Sequence, residues 1–226
     1  MTIKPLLAKP LTLALALCLT CASAFAADRD IDKVNGAITV EAGERFGNLE
    51  TVNGSIKVGA GARVASAQTV NGSIQIAENS RTGGLTTVNG SIRVAENVYM
   101  NDDVETVNGS IFIDRRGEVR GSVETVNGAI GVVDTDISGG ITTLNGDLTV
   151  GVGSHVRGGI LYRKPTRQLI SLNARTPRVV IAPNARVDGP LVFEREVKLY
   201  VHSSASIGPV TGANAVKYEG ASAPKN

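Results

Sequence analysis

Only two cysteines and no tryptophan occur among the 226 residues of the sequence. Both cysteines, Cys18 and Cys21, lie within the first 26 residues, so the remainder can form no disulfide, thiol nucleophile or cysteine metal site. Aromatic residues amount to 4%, too few for the stacking surfaces that bind single-stranded nucleic acid. After the first 26 residues, no apolar run approaches the ~20 residues of a membrane-spanning helix. We therefore expect no nucleic-acid partner, and no transmembrane segment after the first 26 residues.

Residues 1–26 show the order of features that is typical of a secretory signal peptide. Lys4 and Lys9 form a positive start, the stretch 11–19 is apolar, and Ala-Phe-Ala at 24–26 offers the small residues that a signal peptidase reads. The apolar stretch is too short to anchor the protein in a membrane. We therefore predict cleavage after residue 26 and a periplasmic or secreted protein.

Charge is balanced over the exported part but unevenly distributed. Lys4 and Lys9 account for two of the 23 basic residues, which leaves 21 against 21 acidic residues. Residues 28–140 carry 10 basic and 16 acidic residues, whereas residues 141–226 carry 11 and 5. Two interpretations of this imbalance have about equal weight. It is either an electrical dipole along the chain, which would attract the opposite ends of two copies, or a random drift of surface charge. A candidate basic partner surface comprises Arg157, Arg163, Lys164, Arg167, Arg175 and Arg178.

A short motif recurs along the first two thirds of the chain. It reads Val-Asn-Gly, with Leu for Val in the last copy, and the copies follow one another at 18 or 19 residues. Such regular spacing indicates a repeat architecture. Stacked in register, the seven asparagines form a turn and a ladder of side-chain hydrogen bonds, which we favour over a ligand-binding stripe: Asn35, Asn53, Asn71, Asn89, Asn108, Asn127 and Asn145.

The residues around each motif alternate between apolar and polar. Pairs such as Ile74 and Ile76 show the period of two that is typical of a strand with one buried face. Each repeat has three short apolar segments separated by Gly, Asn and Ser, and no window has helical periodicity. This pattern predicts an all-β, single-stranded parallel β-helix with 18–20 residues per coil and about nine coils.

The repeat pattern also divides the chain. We assign residues 27–213 to the β-helix, with Asn-Gly coils to about 161, an irregular loop at 162–177 and C-terminal coils at 178–213. Residues 214–226 are small and polar and end near a proline, so we assign them to a flexible tail.

Two families resemble parts of this sequence. The Asn-Gly-Ser-Ile-x-Val repeats resemble an adhesin-like β-helix family of the bacterial envelope, most of whose members have no assigned activity. Residues 179–189 are similar to coils of bactofilins, which form polymers but are generally cytoplasmic. Together the resemblances cover residues 31–212. They imply a right-handed helix, as does the preference of parallel crossovers, although the six-residue spacing of Val52, Val58 and Val64 also suits a left-handed hexapeptide helix.

One row of the repeat offers the chief candidate for catalysis. Glu105 and Glu124 share one place in adjacent coils, about 5 Å apart, close to the spacing of the two carboxyl groups in retaining glycosidases. Other members of the row are polar without being acidic. The row therefore supports a polysaccharide-binding or polysaccharide-cleaving β-helix enzyme only as an alternative. The full row is Glu50, Gln68, Thr86, Glu105, Glu124 and Thr142.

The interpretation that we favour is an exported, non-enzymatic β-helical scaffold or adhesin-like envelope protein. We expect it to act through contacts with an envelope glycan or protein, or by end-to-end association of its own copies. We predict no catalytic residue, no metal ion and no cofactor.

Overall fold

The structure, a computed structural model, describes residues 29–164 and 175–224. The signal peptide assigned to residues 1–26, and Arg167, lie outside the described residues. Within these limits the chain forms 27 strands and no helix, and every paired strand is parallel to its neighbours. The predicted all-β parallel β-helix is confirmed, with about ten turns where about nine were predicted.

Each coil has three faces. The isoleucine face is a ten-stranded parallel sheet in which each strand lies one coil beyond the last. Its strands are β2 (Ile38–Val40), β4 (Ile56–Val58), β6 (Ile74–Ile76), β9 (Ile92–Val94), β12 (Ile111–Ile113), β15 (Ile130–Val132), β18 (Leu148–Val150), β21 (Arg178–Ile181), β24 (Lys198–His202) and β27 (Ala215–Tyr218).

The asparagine face carries the strands that lead into the Asn-Gly turns and their equivalents in later coils. Its strands are β1 (Ile31–Asn35), β3 (Arg45–Asn53), β5 (Arg63–Asn71), β8 (Leu85–Asn89), β11 (Val104–Asn108), β14 (Val123–Asn127), β17 (Ile141–Asn145), β20 (Ile160–Tyr162), β23 (Leu191–Phe193) and β26 (Val210–Thr211).

The short face completes the coil. The long strands β3 and β5 begin on this face and continue onto the asparagine face, and the other coils use a separate short strand here. These are β7 (Arg81–Thr82), β10 (Tyr99–Met100), β13 (Gly117–Val119), β16 (Thr135–Ile137), β19 (His155–Val156), β22 (Arg186–Val187) and β25 (Ser206–Ile207).

The core is a stack of aliphatic columns, because strands of equal pattern pair in register. Ile92, for example, is fully buried, with Ile74 on one side and Ile111 on the other. The next residue, Arg93, is exposed. Each coil thus buries the apolar residues at alternate positions and leaves the polar ones in solvent, as the period of two requires.

A column of threonines also faces the core. Thr69, for example, is 5% exposed, and its hydroxyl donates a hydrogen bond of 2.9 Å to the carbonyl oxygen of Gly54. The same bond recurs in four neighbouring coils, where the buried hydroxyl satisfies a turn carbonyl, whereas the buried hydroxyl of Thr143 has no hydrogen-bond partner among the described residues. One coil beyond Thr143, Tyr162 occupies this place, and its hydroxyl donates to the carbonyl oxygen of Gly146 at 3.1 Å.

The glycine of the motif is needed for close stacking of the turns. A β-carbon at Gly90 would lie well inside van der Waals contact with the carbonyl oxygen of Gly72, one coil below. The same overlap recurs at the other motif glycines except Gly36, which lies in the first coil. Only Gly36 and Gly146 among the motif glycines have the positive φ that favours glycine. Close approach of the backbone, more than a left-handed turn, therefore explains the repeated glycine.

Both ends of the described solenoid place a lysine where other coils place a buried residue. Lys33 pairs in register with the buried Thr51, and its ammonium donates to the carbonyl oxygen of Ala37 at 2.8 Å. At the other end Lys217 is exposed and pairs in register with the buried Val201. A charged residue at an inward-facing position of an end strand is a common device against further strand addition.

Two consecutive strands are far apart in sequence where the sequence breaks its repeat. β20 ends at Tyr162 and β21 begins at Arg178, so the strands flank the segment assigned to an irregular loop. Further on, β27 lies within the segment assigned to a flexible tail, where it pairs with β24. Tyr218 is buried, and its ring lies 5.1 Å from that of His202, edge to face.

Candidate functional site

The row that contains Glu105 and Glu124 lies on the outer side of the asparagine face. Register pairing places Glu50, Gln68, Thr86, Glu105, Glu124 and Thr142 in one column. Glu105 and Glu124 are direct partners on β11 and β14, which places them about 5 Å apart. Both side chains are half-buried, because the outward-facing Val107 and Val126 of the same strands line the hollow beside them.

The two carboxyl groups have different surroundings. Burial raises the pKa of Glu105, and the carboxylates of Glu124, Asp103 and Asp102 raise it further. Burial also raises the pKa of Glu124, but the Arg163 guanidinium opposes this shift. The pKa of both carboxyl groups is therefore raised, but only Glu124 has a cation beside it that opposes the shift.

The hollow above these carboxyl groups is narrow. Thr86, Thr142, Leu144 and Arg163 also line it. Its volume is about 20 Å³, which is room for about one water molecule. As it stands, the hollow has space for a water molecule between Glu105 and its neighbours, and none for a sugar ring.

The seven asparagines form a continuous ladder along one edge of the solenoid. Each side-chain amide donates to the side-chain oxygen of the asparagine one coil below, at 2.9 or 3.0 Å. The oxygen of Asn145 ends the ladder and accepts a hydrogen bond from the guanidinium of Arg195. Because all six bonds point the same way, their dipoles align, and the cation sits at the negative end.

The candidate basic residues that the structure describes lie in separate places on the solenoid. Arg157 lies on the short face, 3.3 Å from the Asp136 carboxylate. Arg163 borders the hollow at Glu124 on the asparagine face. The main-chain amide of Lys164 donates to the Glu194 carboxylate at 3.0 Å, and the exposed Lys164 side chain follows Arg163.

The two later basic residues of this set lie near the turn that contains Asp147. Arg175 forms an ion pair with the Asp147 carboxylate. The Arg178 guanidinium lies 5.2 Å from the ring centroid of Tyr200 and donates to the carbonyl oxygen of Pro224. Local partners therefore hold Arg157, Arg175 and Arg178, and this leaves less charge for an outside ligand than the sequence suggests.

His155 belongs to a separate cluster on the short face. Its ring nitrogens lie 3.3 Å from the Asp136 carboxylate and 2.8 Å from the Asp188 carboxylate. The hydrogen bond from His155, followed by that from Arg186, lowers the pKa of Asp188. Within residues 29–164 and 175–224, no set of three or more His, Cys, Asp and Glu residues has the arrangement of a metal site.

The sequence did not predict the contacts that two arginines make with these features. Arg163 reaches Glu124 because β20 stacks on β17, which follows only from the pairing of Ile160 with Ile141 across the Gly-rich turn. Arg195 reaches Asn145 from two coils away. The apolar alternation that resumes at Ile160 could have indicated the first contact, whereas nothing in the repeat indicates the second.

The class of protein defined by this architecture is a parallel β-solenoid with stacked polar rows on its outer faces. Compared with known proteins, the chain matches no protein-family model, no curated protein and no solved structure. No helix in the described part of the chain is both long and apolar enough to cross a membrane.

Proposed function

We propose that the protein is an exported, non-enzymatic β-helical scaffold or adhesin-like protein of the bacterial envelope. It acts through contacts of its outer faces with an envelope glycan or protein. The observation that carries this proposal is the preorganised surface of the rod. Polar side chains repeat in register over many coils, and the asparagine ladder holds the turns in place. A rigid, repetitive surface binds an extended partner with little loss of conformational entropy.

A glycan-cleaving enzyme is the second candidate, and the pair Glu105 and Glu124 supports it. Their spacing is close to that of retaining glycosidases, and their surroundings differ as a general acid and a nucleophile require. In that role Glu105 would donate the proton, and Glu124, beside the Arg163 cation, would be the nucleophile. The 20 Å³ hollow favours the non-enzymatic proposal, because a sugar ring would have to displace surrounding side chains.

One experiment separates the two candidates. Residues 27–226 are incubated with a panel of insoluble envelope polysaccharides, and both retained protein and released reducing ends are measured. Retention without release supports a scaffold or adhesin. Release that disappears in Glu105→Gln and Glu124→Gln variants supports the enzyme. The matched control, Glu50→Gln, changes the same row three coils from Glu105 and should leave both measurements unchanged.

Export is tested separately with a reporter that needs an oxidising compartment. Residues 1–28 are fused to alkaline phosphatase without its own signal, because this enzyme gains its disulfides only outside the cytoplasm. We expect phosphatase activity from the fusion and its loss when Lys4 and Lys9 are both replaced by Glu. If the phosphatase without any signal is as active as the fusion, export by residues 1–28 is refuted.

The proposal also includes self-association of copies through their ends. Opposite net charges in the two parts of the sequence favour head-to-tail contact. Lys33 and Lys217 act against it, because each would bring an ammonium group into the junction between two stacked cores. We therefore propose weak, salt-sensitive contact between ends at most, with the lateral faces as the main binding surface.

A further inference from the structure

Three arginines lie on the outer side of the short face, in the first coils of the column that later contains Asp136 and His155. Arg45, Arg63 and Arg81 are paired in register on consecutive coils, so their attachment points are about 4.8 Å apart. All three are exposed. Tyr99 occupies the next place in the same column. Like charges directly opposite one another across strands destabilise a sheet, so the column calls for an explanation.

The three arginines have no acidic partner within the described residues. The ion pairs found there involve other residues, and none includes Arg45, Arg63 or Arg81. Beyond Tyr99 the column continues with Glu118, which lies 3.9 Å from the Arg120 guanidinium, so the unpaired positive stretch ends at Tyr99. Three uncompensated cations in a row along the axis of a rigid rod are suited to a ligand with repeated negative charges.

A groove accompanies this column. Its volume is about 310 Å³, within the range of ligand sites and far above that of the Glu105 hollow. Arg63, Arg81 and Tyr99 line it, together with the amide side chain of Asn101. Phe46, Val64 and Thr82 also line it, as do the small residues Ala65 and Gly83. A β-carbon at Gly83 would overlap the carbonyl oxygen of Ala65. The groove is therefore open because coil stacking forbids a larger residue at Gly83.

Carboxylates mark the far side of the groove. Asp102, Asp103 and Glu105 line the next hollow, which shares Ala65, Gly83 and Asn101 with the groove. A negatively charged ligand is repelled from that side and follows the arginine column along the axis. The direction of the column, parallel to the rod, suits an extended polymer rather than a compact anion.

We propose that this groove binds a linear acidic polysaccharide whose sugar units carry carboxylates. The guanidinium groups of Arg63 and Arg81 form charge-assisted hydrogen bonds to carboxylates of the polymer. Tyr99 and Asn101 supply the aromatic edge and the amide that sugar rings and hydroxyls use, which a plain polyanion would not need. The inference deepens the glycan contact of the proposed function and rests on it, but it assigns that contact to the short face.

The test measures binding of polygalacturonate to residues 27–226 by calorimetry at low and moderate salt. The double variant Arg63→Gln, Arg81→Gln should weaken binding about tenfold, since each exposed pair is worth up to ~1 kcal/mol. The matched control, Lys57→Gln with Arg93→Gln, removes the same charge from the outer row of the isoleucine face. It should change the affinity less than about twofold if binding is local. Circular dichroism checks that all variants fold.

Two further probes decide the chemistry of the ligand. Polyglutamate carries carboxylates without sugars, and neutral dextran carries sugars without charge. We expect weaker binding of both, and a loss of preference for polygalacturonate over polyglutamate in Tyr99→Ala. Equal weakening by the two double variants, equal binding of polyglutamate, stronger binding of anionic lipid vesicles, or no binding of polygalacturonate would each overturn the assignment. Absence of polygalacturonate binding would not by itself refute the proposed function, because the retention experiment tests binding to other envelope polysaccharides.

Discussion

At the scale of single residues, adjacent side chains along each strand have opposite environments. Ile92 and Arg93 are sequence neighbours at the centre of the isoleucine face, yet one is fully buried and the other exposed. The period of two was sufficient to predict this pattern, because successive side chains of a strand point to opposite faces of the sheet. The predicted inward and outward assignments therefore rest on geometry that every coil repeats.

The first prediction compares these two neighbours. Ile92→Asp should destabilise the protein by about 3–5 kcal/mol, or unfold it, because a carboxylate would be buried without a partner. Arg93→Asp places the same charge on the surface and should cost less than about 0.5 kcal/mol. Chemical denaturation of both variants measures the difference. Equal losses would contradict the in-out assignment.

The second prediction concerns the pH dependence of stability. The raised pKa of the Glu105 carboxyl means that the folded protein binds its proton more tightly than the unfolded chain does. The contribution of Glu105 to stability is therefore best at low pH and declines as pH rises from the ordinary glutamate range through the raised pKa. Glu105→Gln should flatten this decline and stabilise the protein at neutral pH.

Thermal melting between about pH 4 and 7, a range that spans the ordinary glutamate pKa, tests this expectation. Glu78→Gln is the control, because it removes one carboxylate from an exposed turn. Melting curves in which Glu105→Gln and the original protein lose stability in parallel as pH rises would show that Glu105 is not perturbed in the folded state.

At the scale of elements, each coil is held to the next by main-chain pairing and by side-chain ladders. The repeat of Asn and Gly at 18 or 19 residues could be recognised from sequence, and so could the strands around it. The reason for the glycine could not, because it depends on how closely Gly90 lies over Gly72 after stacking. Positive φ, the usual explanation, applies only at Gly36 and Gly146 within this motif.

The third prediction tests the ladder at its centre. Asn89→Ala removes the bond that Asn89 donates to Asn71 and the bond that it accepts from Asn108. We expect a loss of about 1–2 kcal/mol, at roughly 1 kcal/mol for each hydrogen bond. Asn101→Ala changes an exposed asparagine that lies outside the ladder. Similar losses for both variants in urea denaturation would argue that the ladder contributes nothing.

At the candidate site, the repeat pattern predicts some contacts and fails to predict others. Pairing of Glu105 with Glu124 followed directly from their equal places in the repeat. The contact of Arg163 with that pair required the stacking of β20, which lies outside the Asn-Gly repeats. The arginine column was visible as a spacing of 18 residues at Arg45, Arg63 and Arg81, but the groove beside it depends on small residues two positions further on.

At the scale of the whole molecule, the solenoid must stop without attracting another copy. The inward-facing column that contains Ile181 and Val201 ends at Lys217. A charge at this position makes the last strand a poor template for a further coil. The terminal coils therefore differ from the central ones in the way that repeat proteins require for solubility.

The fourth prediction follows from this end. Lys217→Val continues the apolar column to the edge and should increase self-association, seen as larger species in sedimentation velocity at several protein concentrations. Lys57→Val introduces the same residue on a lateral surface and serves as the control. A Lys217→Val variant that sediments like the original protein at every concentration would show that the lysine does not guard the end.

The central claim is that successive repeats stack as parallel coils in one register. Residues 27–226 lack cysteine, so nitroxide labels at Thr39→Cys and Thr149→Cys attach only at these exposed sites. Register pairing separates them by six coil spacings, about 29 Å at ~4.8 Å each. Pulsed electron paramagnetic resonance should give this distance, and one about 5 Å shorter for Lys57→Cys with Thr149→Cys. Distances that do not shorten by one spacing, or that differ from 29 Å by more than about 10 Å, would contradict the stacked solenoid.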